Sequence, residues 1–127
     1  MWPRWLRDGV PLVFWMSVIF FLSSRSRLID IESTVGDRTF YKTAHFLAYA
    51  LLAWLWWRAI SPEREVTWNL LFTALGLTVL YGISDEFHQL FVPGRFGRVA
   101  DVLFDTSGGL AMILALRHVE WLRKFLE

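Results

Sequence analysis

The sequence has no cysteine. Disulfide frameworks, Cys-based zinc sites and cysteine nucleophiles are therefore excluded. It also lacks a dominant charge sign. Thirteen Lys and Arg face twelve Asp and Glu, for a formal net charge of +1. That balance gives no basic footprint for a nucleic-acid partner. Internal repeats and low-complexity tracts are missing as well. What the chain has in abundance is apolar surface: 55% of residues are hydrophobic and 17% aromatic, with a mean hydropathy of +0.39. Such a composition excludes disorder. At 127 residues and 14.9 kDa, there is room for one domain, 1–127, and no second core.

A positive hydropathy points to a membrane, yet 20% of the residues are charged. Charge-free runs cover Gly9–Ser24, Thr43–Trp57, Val66–Ser84 and Thr106–Leu116, with 16, 15, 19 and 11 residues. A spanning helix needs roughly 20 mainly apolar residues. Each run reaches that length when polar residues at its ends are included, which gives spans at about 7–24, 42–60, 66–89 and 101–119. A soluble four-helix bundle would show a polar face on each helix. None of these runs has a charged face, and 127 residues cannot bury four all-apolar helices in one soluble core. The expected fold is therefore all-α, an integral membrane bundle of four transmembrane helices with both termini on the same side. The first span lacks a small-x-small cleavage site after Leu22 and reads as uncleaved. Trp2, Trp5, Trp54, Trp56, Trp57, Trp68 and Trp121 fall near span ends, as in an interfacial aromatic belt. Ser23–Tyr41 is the longest connection, with room for a short interfacial helix. Lys and Arg number seven on the terminal side and six on the other. Setting aside Lys42 and Arg95 for a local role makes it seven against four, which favours cytoplasmic termini.

The polar residues within the spans gather at one end. Ser23 and Ser24 close the first span, and Lys42, His45 and Tyr49 open the second at i, i+3 and i+7. Asp85, Glu86, His88 and Gln89 close the third, and Asp101 and Asp105 open the fourth. Alternating topology puts these four ends on one side of the membrane. Helical spacing puts Lys42, His45 and Tyr49 on one face, Asp85, His88 and Gln89 on another, and Asp101, Asp105 and Gly109 on a third. Gly82 and Gly109 suit close helix approach. Ionisable groups at this depth cost roughly 2.5–3.5 kcal/mol each at a helix centre, so they must pair, face water or serve function. Three chemistries fit the set. Its carboxylates and imidazoles could ligate a divalent metal, although no recognised ligand spacing is present. Asp85 and Glu86 could do acid–base work with His45 or His88 nearby. Lys42 and Arg95 could hold an anionic head group. Interhelical glue is the competing account. Gly108 and Gly109 read as a packing site, since no Gly-x-Ser-x-Gly elbow exists.

These residues carry a resemblance. Lys42-Thr-Ala-His45-Phe46-Leu-Ala-Tyr49, then Ser84-Asp85-Glu86-Phe-His-Gln89-Leu-Phe91-Val-Pro93-Gly94-Arg95, then Asp101-Val-Leu-Phe-Asp105-Thr-Ser-Gly108, resemble the motifs of the VanZ-like family of small bacterial membrane proteins. A later glycine of the family pattern is replaced here by Ala111 and Met112. The family takes its name from a protein linked to low-level resistance to the glycopeptide teicoplanin. The resemblance implies a multi-pass protein of the cell envelope, in the bacterial cytoplasmic membrane.

The functional expectation is a polar pocket open toward the first and third loops. It would bind, and on one reading modify, an anionic lipid or lipid-linked envelope precursor. Asp85, Glu86 and His45 are the catalytic candidates. Lys42, Tyr49, Gln89, Arg95, Asp101 and Asp105 are the ligand-binding candidates. The alternative is a non-enzymatic accessory protein whose polar cluster is glue. The sequence leaves the oligomeric state open.

Overall fold

The computed structural model describes residues 1–24, 35–92 and 99–126. Every regular element among them is helical. A wide π-helical turn, Trp5–Gly9, leads into α1, Val10–Ser23. Then follow α2 (Val35–Ile60), α3 (Trp68–Gln89), α4 (Val99–His118) and a short α5 (Glu120–Leu126). Pro11 sits in the first turn of α1, where its missing N–H costs nothing. Thr67 caps α3 by accepting from the Leu70 N–H at 3.3 Å. The α2–α3 turn is closed by two donors on one carbonyl. Ser61 Oγ and Trp57 Nε1 reach the Glu65 carbonyl oxygen at 3.1 and 2.9 Å. Arg64 in that turn has φ 57°, the left-handed region that a non-glycine residue seldom enters. Residues 35–41, expected in a connection, continue α2 instead.

Three helical stretches are long and apolar enough to cross a membrane: Trp5–Ser23, Trp68–Gln89 and Val99–His118. The second segment is not among them, although it was read as a span. Its share of Tyr, Trp and His, together with Lys42 and Arg58, lowers its hydropathy. Yet α2 is the bundle's centre. It shares its largest interface with α4, and it packs on α1 and α3 as well. Leu52, Ala53 and Trp57 are fully buried on it. Two apolar clusters flank it. One joins Ala53 and Trp57 to Leu71, Ala74, Ile113 and Leu116. The other joins Tyr49, Leu52 and Leu55 to Leu12 and Ile19 of α1.

The outside of the bundle is apolar. Val13, Phe14, Phe20, Phe21, Phe72, Leu80, Ile83, Leu103 and Leu110 are exposed, while Asp85, Asp105, Gln89 and Thr78 are buried. A water-soluble domain keeps the reverse order, so the exposed rings and leucines face lipid. The aromatic belt holds only in part. Trp2, Trp5 and Trp121 are exposed, but Trp57 is fully buried in the core, and its indole N–H is used inside the turn.

Glycine sets how near α4 comes to α2. A Cβ at Gly108 would collide with the Phe46 backbone carbonyl. At Gly109 it would press on Leu75, at 3.2 Å, and Thr78, at 3.3 Å. The glycine pair is a packing site, as its sequence context implied.

Candidate functional site

Asp85 is the centre of the polar end. Its side chain leaves the last turn of α3 and is 3% exposed. One carboxylate oxygen, Oδ2, accepts from three elements. Ser23 Oγ, the last residue of α1, donates at 2.8 Å. Gln89 Nε2, one turn on in α3, donates at 3.3 Å. Tyr49 Oη, from α2, donates at 3.5 Å. The other oxygen, Oδ1, is buried without a hydrogen-bond partner. The Tyr49 ring packs over Gly82, where a Cβ would stand at contact distance, 3.4 Å.

Asp105 forms the second node. It is 2% exposed, and its Oδ1 lies 3.4 Å from His45 Nδ1. Its Oδ2 is buried and unpartnered. Tyr49 lies within Coulombic range of Asp85, Asp105 and Glu86. Asp105 lies within the same range of Asp85 and Asp101. Glu86 is buried beside them, at 8% exposure. Toward the outside, Lys42 and Asp101 are exposed and His45 is half-buried. The Lys42 ammonium stands 5.9 Å from the centre of the Phe104 ring. Burial thus deepens from Lys42 and Asp101, through His45, to Asp105, Tyr49 and Asp85. Arg95 and the loops toward which the pocket was expected to open lie outside the described residues. Among the described residues, no group of three or more His, Asp or Glu is placed to hold a metal ion.

Two features escape the sequence patterns. The first is the choice between neighbours. Ser23 reaches Asp85, whereas Ser24 donates back to the Phe20 carbonyl of its own helix. His88, grouped with Asp85 by spacing, stacks on Phe20 at 4.2 Å, and its Nδ1 is buried without a partner. The second is a charge cluster at the opposite end, about 22 Å along α1 at 1.5 Å per residue. Asp8 is 3% exposed and meets Arg64 at 2.7 Å, Arg58 at 3.0 Å and Arg7 at 3.1 Å. In the sequence these arginines figure only among the seven basic residues of the terminal side. The available signal was Asp8 itself, the single acid before Asp30. Setting these three aside, as Lys42 and Arg95 were, turns the count of seven against four into four against four. The charge argument for cytoplasmic termini then disappears.

The described motif residues therefore gather at one end of the bundle. The sequence model of the VanZ/LLP1 family matches residues 9–122. The chain belongs to that family. No curated protein and no solved structure matches it. For this VanZ-family chain, the Lys-x-x-His-Phe-x-x-Tyr motif supplies His45 to Asp105 and Tyr49 to Asp85. The Ser-Asp-Glu-x-x-Gln motif supplies the acceptor and a third donor, Gln89. The Asp-x-x-x-Asp-x-x-Gly motif supplies Asp105 and the glycine that admits α2. The chain is a membrane protein, helical throughout its described regular elements, and described residues of the three motifs meet at one end of its bundle.

Proposed function

We propose that this chain is a four-span protein of the bacterial cytoplasmic membrane, folded as the single domain 1–127 with both termini on one side. We further assign its polar end to a lipid-linked envelope precursor, a hydroxyl-rich head group on a phosphate. One observation carries the reading. Asp85 Oδ1 and Asp105 Oδ2 are buried acceptors with no partner, although Asp85 Oδ2 takes three donors. An unsatisfied buried acceptor costs about 1–3 kcal/mol, and more when charged. Acceptors recruit donors, so the buried part of the site suits sugar hydroxyls and repels a phosphate. The phosphate belongs at the rim, where Lys42 is exposed, and Arg95 remains the second basic candidate by sequence. Ser23, Tyr49 and Gln89 fix one oxygen of Asp85 and leave the other to take a hydroxyl proton. Glu86 and His45 complete the acid–base set, and Asp101 supports Lys42.

The second reading is interhelical glue. It is favoured by the same bonds, since Ser23, Tyr49 and Gln89 tie three helical elements to one carboxylate. Purified protein incubated with bacterial lipid extract separates the two. Recovery of a phosphorylated glycolipid by the parent, and its loss in well-folded Asp85→Asn and Lys42→Ala variants, supports the site. Equal recovery by all three proteins refutes it. Loss of recovery only in step with unfolding favours glue. Teicoplanin susceptibility of cells carrying the parent or Asp85→Asn reads the family association separately.

A further inference from the structure

Arg7, Arg58 and Arg64 share one carboxylate, Asp8. Among the described residues their ion pairs all go to it. Three guanidiniums against one carboxylate leave two positive charges unbalanced. They are not all free in water: Arg58 and Arg64 are 19% and 14% exposed, and Arg7 is 47% exposed. Uncompensated charge that is partly out of water is costly, and a counter-anion relieves it. A second observation points the same way. The Nε of Arg58 is buried and has no hydrogen-bond partner. One face of its guanidinium is stacked at 4.9 Å on Trp54, which leaves its edge to bind. Arg4 lies on the same end and donates to the Ala59 carbonyl. Glu63 and Glu65 of the adjoining turn are exposed and stand as the local competitors for an anion.

An apolar groove runs along the same helical stretch as Arg7 and Asp8. Trp5, Gly9, Val10, Val13 and Phe14 line it, along the outward face of the first helix. Trp5 and Gly9 bracket Arg7 and Asp8 in sequence. A basic cluster on the same helical stretch as a lipid-facing groove offers the two-part chemistry of a phospholipid: phosphate on guanidinium, acyl chain on Val and Phe.

We infer that the terminal end of the bundle is an anionic phospholipid site, separate from the Asp85 end. Arg7, Arg58 and Arg64 hold the lipid phosphate while keeping Asp8, and the groove from Trp5 to Phe14 takes one acyl chain. The fixed Asp8 holds the arginines in place, so the phosphate meets a preorganised cluster.

The experiment uses the full chain carrying Lys42→Ala and Arg95→Ala, so that the other end does not contribute. It is placed in nanodiscs of phosphatidylcholine with a trace of phosphatidylglycerol, and retained lipid is counted by native mass spectrometry. Phosphatidylglycerol is expected to be enriched. Arg7→Ala, at an exposed position, is expected to cut that enrichment roughly tenfold, the loss of one charge-assisted contact. Val13→Trp, which fills the groove, is expected to cut it as well. Equal retention in Arg7→Ala of parent-like thermal stability overturns the inference. So does displacement of the lipid by millimolar inorganic phosphate, because the cluster would then be a simple anion site. If Arg7→Ala proves unstable, Val13→Trp decides alone, and parent-like retention in it refutes the lipid assignment. Failure here leaves the glycolipid recovery at the Asp85 end untouched, since that readout does not pass through Arg7.

Discussion

Replacing Gly108 with Ala should damage both the fold and the site, and the reason is local. A Cβ at this position would overlap the carbonyl oxygen of Phe46 and crowd that residue's backbone carbon and Cα, at 3.0 and 3.2 Å. The obstacle is helix backbone, which cannot rotate away as a side chain can. The α2–α4 pair must therefore widen by roughly 1 Å to restore van der Waals separation. Overpacking of this kind costs about 1–3 kcal/mol, and we expect about 2 kcal/mol, since this is the bundle's largest interface. The widening falls three residues from Asp105, whose contact with His45 is already 3.4 Å, so that pair should open. The matched control is Gly76→Ala in α3. Nothing lies within 4 Å of a Cβ there, and the loss of glycine's backbone freedom should stabilise by about 0.5–1 kcal/mol. Unfolding in mixed micelles with rising sodium dodecyl sulfate, read by tryptophan emission, reports both, because Trp57 lies in the core. A Gly108→Ala protein as stable as the parent would refute the close-approach argument.

Other substitutions test the remaining ties. Ser23→Ala removes a 2.8 Å donor from a buried carboxylate and should cost about 1.5–3 kcal/mol in the same titration, while Ser24→Ala should fall within about 0.5 kcal/mol; equal effects would remove Ser23 from the site. Tyr81→Phe deletes the bond from the tyrosine hydroxyl to the Met16 carbonyl oxygen and should cost about 1 kcal/mol, and a neutral result would show that this bond fastens nothing. Asp8→Ala leaves three arginines without their shared carboxylate and should destabilise by about 1–3 kcal/mol, below the range for a fully buried pair because Arg7 is half exposed. Raised salt should recover part of that loss, and a salt-independent deficit would count against a charge origin.

The helical pattern made much of the polar end legible. Lys42, His45 and Tyr49 recur at spacings that only a helix brings to one face, and so do Asp85 and Gln89. Glycines beside the acids marked where helices touch. Identity at a helix end was less readable, because one residue of rotation separates Ser23, which meets Asp85, from Ser24, which turns back on its own helix. The Asp8 cluster was illegible for a different reason. Its partners are 50 and 56 residues away, and flanking arginines are common at span ends whether or not they pair. Hydropathy ranked α2 lowest because Tyr, Trp and His score poorly, although Tyr49 and Trp57 are almost wholly shielded by their neighbours.

That shielding bears on how the chain is assembled. Synthesis runs from the N-terminus, so α2 is made before α3 and α4. The helix least suited to lipid must therefore wait for its cover. Its face toward Gly108 stays open until the last long helix is in place, because α4 is what packs against the Phe46 backbone there. A chain cut after α3 would leave Phe46, Ala53 and the His45 imidazole facing lipid. Completion of the bundle is thus gated by its last long helix, which makes α4 a checkpoint for quality control as well as a wall of the site.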